Sequence, residues 1–300
     1  MKKRPLISFD WALKRLLRQK ANFGILEGFL STLLKKDITI ISLPESESNA
    51  VDLQNKINKV DLLCENEFKE LMLIELQYNS EIDYFHRMLF GTSKIITDYM
   101  KEGLGYQEVK KVYSINIVYF DLGHGTDYVY HGSTHFNGIH DQDSLQLTLN
   151  QRNLFKIQDV SGIYPEYYIL KVNRFNDIAK DSLDEWIYYL KHNELPKSYH
   201  AKGLNMVSEK LKYDKMEKEA KLQYDAHQKE LAISYSVIET AKYEGKAEGK
   251  AEGKAEGKDE GFAEAAVKFY DNGVDITFIA KNLSISEDAL IAILKKAGRL

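Results

Sequence analysis

Apolar residues recur at three- and four-residue steps from the start of the chain: Leu6, Trp11, Leu13, Leu16 and Leu17, then Ile25, Leu26, Phe29, Leu30, Leu33 and Leu34. That period predicts two amphipathic helices within residues 6–36, the second over 22–34, with a break near Asn22–Gly24. Residues 44–58 are polar, with Pro44, Ser46, Ser48, Asn49 and Asn55, and read as a loop or an edge segment. The period then shortens. Residues 59–65 and 70–78 predict two strands, joined by the hairpin-length link Asn66–Lys69. Residues 82–101 return to a helical pattern with Tyr84, Met88, Ile95, Ile96 and Tyr99 on one face, and Gly103 as its stop. Residues 110–121 predict a buried strand; 127–135, 144–149 and 164–173 predict weaker ones. Residues 181–192 predict a helix capped by Asp181 or Ser182.

After residue 198 apolar residues thin out. Residues 203–243, rich in Lys, Glu, Ala and Gln, predict a long exposed helix. Residues 244–261 repeat Glu-Gly-Lys-Ala and hold 5 of the 18 glycines of the chain. In a helix, the glutamates would stand at i,i+4 from one another, as would the lysines, and Glu–Lys pairs would fall at unproductive spacings. Each glycine costs about 1 kcal/mol relative to alanine. A linker is therefore expected. The alternative is a helical self-association segment, using the glycine stripe for close approach and making the chain a homo-oligomer through its C-terminal region. Residues 262–298 predict three short helices of helix-turn-helix type. Glu287 and Asp288 stand where a DNA reader would meet phosphate, so protein contact is at least as good a reading.

Composition narrows the function classes. The chain has 300 residues, a net charge of -4 and one cysteine. Cys64 alone cannot make an internal disulfide. No run of about 18 apolar residues exists, which excludes a membrane-spanning helix. Asp10 and Lys14 interrupt the N-terminal apolar stretch, so a signal peptide is not expected and a cytoplasmic location is. The charge also excludes a protein that coats nucleic acid by electrostatics alone.

The predicted hairpin carries the candidate chemistry. Leu71, Leu73, Glu75 and Gln77 share one strand face. Glu75 is the one charged residue in the stretch Leu71–Leu76, and a carboxylate is expensive to bury without compensation. If the turn centres on Phe68, Asp61 faces Glu75. Opposed residues have Cβ atoms about 4.5–5.5 Å apart. Two carboxylates that close repel unless one is protonated or a cation lies between them. A hard divalent ion with oxygen ligands, Mg²⁺ or Mn²⁺, meets that need. The competing reading is a solvated acid on an open face. Cys64 falls on the opposite face and reads as a core thiol. His124, His131, His135 and His140 match no zinc-ligand spacing and read as incidental.

The set Asp61…Glu75-Leu76-Gln77 resembles the Asp…(Asp/Glu)-x-Lys signature of the PD-(D/E)XK nuclease superfamily. It is most similar to the branch with Gln in place of Lys, the Rpn family of recombination-promoting nucleases and transposases. Phe9-Asp10-x-x-x-Lys14 and Phe23-Gly24-Ile25-Leu26-x-x-Phe29-Leu30 resemble that family's opening helix pair. Arg87, Gly103-x-Gly105-Tyr106, the strand Val112–Phe120, the Trp186 helix and the Glu-Gly-x-x repeat follow in the family's order. The likeness covers roughly residues 5–195, plus the repeat.

The resemblance implies an α/β fold: a restriction-endonuclease-like mixed sheet flanked by helices, here with a helical C-terminal extension. It implies a metal-dependent DNA endonuclease that hydrolyses phosphodiester bonds and promotes recombination or acts with a mobile element. Strand transfer is less expected, because no carboxylate triad has RNase H-like transposase spacing. Asp61, Glu75 and the Leu76 carbonyl would hold the metal, and Gln77 would orient the water or the phosphate. Asp10, Lys14 and Arg87 are additional candidates. For Asp10, a first-turn acid of the helix is an equal alternative. Gln77 cannot supply the charge of the lysine it replaces, so Arg87 or Lys14 is the candidate substitute. The alternative function is a non-catalytic DNA-binding or assembly protein on the same fold. The expected organisation is a catalytic domain over 1–198, a charged helix over 199–243, a linker over 244–261 and a small helical segment over 262–300.

Overall fold

A computed structural model describes residues 5–44, 61–100, 103 and 105–300. Residues 45–58, most of the polar stretch, lie outside these, as do residues 59 and 60 of the first predicted strand. The chain divides into two compact units, Met1–Tyr224 and Asp225–Leu300.

The first unit is built on a six-stranded mixed sheet. Its strands are β1 (Ile40–Ser42), β2 (Leu62–Asn66), β3 (Leu71–Gln77), β4 (Val112–Val118), β5 (Val129–Gly132) and β6 (Glu166–Lys171), in the order β1-β2-β3-β4-β6-β5. The β3–β4 and β4–β6 pairs are parallel; the other three are antiparallel. Every residue of central β4 is buried, as expected where helices cover both faces of parallel strands. The β2–β3 turn is held by Asn66, whose side-chain oxygen accepts from the N–H groups of Phe68 and Glu70.

Helices α1 (Phe9–Arg15), α2 (Phe23–Leu34), α5 (Ser182–His192) and α6 (Leu204–Lys210) cover one face of the sheet. Between these helices and the strand residues Cys64, Met72, Ile74, Leu76, Ile115 and Ile117 lies the main core. Phe9, Phe29, Trp186 and Tyr189 meet edge-to-face at its centre. Gly28 lets α2 approach the backbone before α6: a Cβ there would stand 2.6 Å from Gly203 Cα. Helix α3 (Tyr84–Tyr99) covers the other face, over Leu63, Leu71, Leu73, Val112 and Val118.

Several expectations are corrected. β1 carries no periodic signal and is not expected from the sequence. Residues 144–149 form no strand. Ser144 makes only an isolated bridge with Asn137, and α4 (Leu149–Phe155) starts at a Thr148/Gln151 capping box. Of the two predicted caps of α5, Asp181 is the one used, accepting from the Asp184 N–H. The long helix expected from 203 is interrupted after α6, and α7 (Lys218–Asp271) begins later. The first unit extends past residue 198 because Ala201, Leu204, Val207, Leu211 and Tyr224 complete the main core.

Residues 244–261 lie wholly within α7, as helix and not as linker. Helix flanks the repeat on both sides. The glycines therefore weaken propagation of a helix that never has to nucleate there. No neighbouring atom would meet a Cβ at Gly245, Gly249, Gly253 or Gly257. In the second unit, Ala266 of α7 packs with α8 (Ile276–Leu283) and α9 (Glu287–Lys296) through Ile279, Ala280, Leu290 and Leu294. Among the described residues no helix is long and apolar enough to cross a membrane.

Candidate active site

Alternation along β3 divides its side chains between two environments. Met72, Ile74, Leu76 and Tyr78 enter the main core; Leu71, Leu73, Glu75 and Gln77 face α3. The β2–β3 register pairs Leu62 with Ile74. One step further it sets Asp61 opposite Glu75, just beyond the end of β2.

Asp61 is fixed from three directions. Its Oδ2 accepts the Leu76 N–H at 2.8 Å, its Oδ1 lies 3.3 Å from Lys14 Nζ, and its carbonyl accepts from Arg18 at 2.8 Å. Backbone and cation thus fix the carboxylate in one orientation.

Glu75 is 5% exposed. Burial pushes its carboxyl up to about 7; Arg87 pulls it down, while the charges of Asp61 and Glu81 push it further up. Arg87 Nε stands 4.0 Å from Glu75 Oε2, too far for a hydrogen bond. The Arg87 Nη1 donates instead to both oxygens of Glu81, at 2.7 and 3.0 Å. Arg87 Nε is buried with no hydrogen-bond partner among the described residues. Burial would lower the Arg87 pKa, but Glu75 and Glu81 together hold it above its usual value. Glu81 also accepts from the Gln77 amide at 2.6 Å.

The next strand supplies a polar rung. Asn116 of β4 is in register with Glu75 and accepts from the Tyr84 hydroxyl at 3.2 Å. Burial, then the Glu75 charge, holds that phenol well above its ordinary pKa.

The structure therefore brings Asp61, Glu75, Gln77, Lys14 and Arg87 together. It does not bring Asp10 to them. Asp10 is 1% exposed and hydrogen-bonds Tyr78, on the opposite face of β3, where Tyr78 stacks on Tyr119 at 4.4 Å. Cys64 is a buried core thiol. His131 stacks on Tyr168 and pairs with Glu166. Glu81, Tyr84 and Asn116 carry no motif signal. Glu81 does stand four residues after Gln77, but in a polar connection with no period of its own.

Among the described residues no cluster of three or more His, Cys, Asp or Glu side chains gathers as a metal site. Two carboxylates still fit a Mg²⁺-like ion, which is typically held by one or two carboxylates and keeps waters and phosphate oxygens for the rest. The buried Glu75 carboxylate, whose cation stands off at 4.0 Å, is the group in need of such an ion.

No curated protein and no solved structure matches the chain. The sequence model of the PD-(D/E)XK nuclease family transposase matches residues 7–241. That span takes in the whole sheet, both covering helix layers and the Asp61–Glu75 hairpin. A mixed sheet with an Asp and a Glu-x-Gln converging on one hairpin, matched over this length, places the chain in the PD-(D/E)XK nuclease family transposases.

Proposed function

We propose that the chain is a metal-dependent DNA endonuclease whose site is Asp61, Glu75 and Gln77. The observation that carries this reading is the pairing of an anchored Asp61 with a buried Glu75 that lacks a bonded counter-charge. Asp61, Glu75 and the Leu76 carbonyl would hold the ion. The Leu76 N–H points at Asp61, and in an extended strand a residue's carbonyl points to the same side as its N–H. A bound Mg²⁺ or Mn²⁺ supplies a lowered pKa for water and charge stabilisation at the phosphate.

The chain's own residues do the positioning. Glu81 takes the Gln77 amide nitrogen, which leaves the amide oxygen to accept a hydrogen bond from the attacking water. Lys14 pairs with Asp61 and holds its carboxylate in place. Arg87 lies on the α3 side of Glu75, where it adds positive charge near the phosphate. These two cations stand in for the lysine that Gln77 replaces.

The test is nicking of supercoiled plasmid by the full chain with Mg²⁺, Mn²⁺ or EDTA, alongside Asp61→Asn and Glu75→Gln. Nicking should need the ion and both carboxylates. Nicking that survives both substitutions refutes the site. DNA binding with no nicking under any divalent ion favours the non-catalytic DNA-binding reading.

A further inference from the structure

On the α3 face of the sheet, beside the site, lies an apolar cavity of about 460 Å³. Such a volume falls within the ~300–1,000 Å³ of small-ligand pockets. Phe85 and Leu89 of α3 stand at its mouth, half exposed, and Tyr130, Tyr167 and Ile169 form its wall. Lys171 also lines it. This lysine is 2% exposed, yet among the described residues no carboxylate lies within ion-pair distance of its ammonium. The ammonium's contact is the Tyr130 ring, 5.6 Å from the centroid. A buried cation without a counter-charge is costly, and here it is aimed into a cavity.

The sheet register ties this cavity to the hairpin. Glu75, Asn116 and Ile169 form one rung across β3, β4 and β6; Gln77, Val118 and Lys171 form the next on the same face. Residues of one rung face the same side, so Lys171 and Gln77 share a face, two strand spacings or about 10 Å apart. Helix α3 borders both, sending Arg87 toward Glu75 and Phe85 and Leu89 to the cavity mouth.

We propose that this cavity takes one nucleotide of an unpaired DNA strand, its base against the aromatic and aliphatic wall and its phosphate on Lys171. The proposal rests on the nuclease reading for the identity of the ligand. Aromatic walls suit a base of any sequence. A lone ammonium suits a phosphate as a point charge. Duplex DNA presents no free base to such a wall. The cavity therefore directs cleavage to strands with an unpaired nucleotide beside the scissile bond.

The experiment measures binding of a short fluorescein-labelled oligodeoxythymidylate to the full chain in EDTA, by fluorescence anisotropy. Unlabelled thymidine monophosphate, thymidine and dodecanoate serve as competitors. Thymidine monophosphate should displace the oligonucleotide at least about tenfold better than thymidine. Lys171→Met should weaken binding by about tenfold or more, and Phe85→Ala, at the half-exposed mouth, by about fivefold or more. Wild-type affinity in both variants overturns the proposal. So does equal competition by thymidine, or displacement by dodecanoate as effective as by the nucleotide. Because binding is read without metal, the two readings fail separately. A protein that nicks plasmid but binds independently of Lys171 refutes the cavity assignment alone. One that binds through Lys171 and cuts neither the plasmid nor the oligodeoxythymidylate under any divalent ion refutes the nuclease reading alone.

Discussion

Replacing Glu75 by Gln tests the electrostatics of the site without any metal. The Glu75 carboxyl is pushed from 4.5 to about 7 in the folded chain, chiefly by burial. The folded state therefore binds this proton more tightly than the unfolded state. Between pH 4.5 and about 7 the native form holds more protons, so stability falls as pH rises. At about 1.4 kcal/mol per pH unit, the loss is about 3 kcal/mol by about pH 8, and nothing is lost well below the unfolded-state pKa. Glutamine has nearly the same shape and no proton to lose. Stability of Glu75→Gln relative to wild type should therefore climb by about 3 kcal/mol from about pH 4 to about pH 8, most steeply between the unfolded and folded pKa values. The assay is urea unfolding in EDTA across that range, followed by tryptophan emission. The chain's 2 tryptophans, Trp11 and Trp186, are both buried in the core of the first unit, so the signal reports that unit. Titrating groups away from the site cancel in the difference. A difference that stays flat with pH, or falls, refutes the buried-carboxylate argument.

Added Mg²⁺ should reverse part of this loss. At about 100 times its dissociation constant it should stabilise the wild type at about pH 8 by about 3 kcal/mol and leave Glu75→Gln nearly unchanged; equal stabilisation of both places the ion elsewhere. Gly28→Ala should destabilise the first unit by about 2–3 kcal/mol, because the new Cβ meets backbone at Gly203 that cannot move aside; an unchanged thermal midpoint refutes that packing. Cys64 should resist aromatic disulfide reagents at about pH 8 until the first unit unfolds, since burial both blocks access and pushes the thiol up to about 12. Rapid reaction in native buffer would show that β2 is open.

The parts of the fold legible in the sequence are those where local pattern and burial agree. The uniformly apolar run at Val112–Val118 is the central strand, and the 71–77 alternation separates Glu75 and Gln77 from Met72, Ile74 and Leu76. β1 escapes because three residues carry no period, and its pairing with β2 is irregular. At 144–149, apolar Leu145 and Leu147 suggest a strand, but the Thr148/Gln151 cap commits the backbone to a helix. In the repeat, per-residue propensity argues for a linker, while propagation from the helical flanks carries the helix through. The hairpin residues can be paired by counting from a turn. Asp10 cannot be placed that way, because which side of a helix meets the sheet depends on packing. Lys171 reads as a strand residue like any other; only the β4–β6 register reveals that it faces the same side as Gln77.

Glu81 is invisible in the sequence for the same reason, and it sets the charge balance at Glu75. Its carboxylate binds the Arg87 guanidinium at 2.7 Å, while Glu75 receives Arg87 only at 4.0 Å. Glu81 therefore acts on Glu75 twice: its own charge raises the Glu75 pKa, and it draws away the cation that would lower it. Glu81→Gln removes both effects with the same sign. A glutamine there can still accept from the Gln77 amide, so the local geometry survives. The Glu75 carboxyl should then titrate lower. The pH-dependent stability difference between the chain with Glu75 intact and its Glu75→Gln counterpart should shrink and shift to lower pH. Repeating the urea series with Glu81→Gln, alone and combined with Glu75→Gln, measures this as a double-mutant cycle. A step of unchanged size and midpoint would mean that Glu81 neither repels Glu75 nor withholds Arg87 from it.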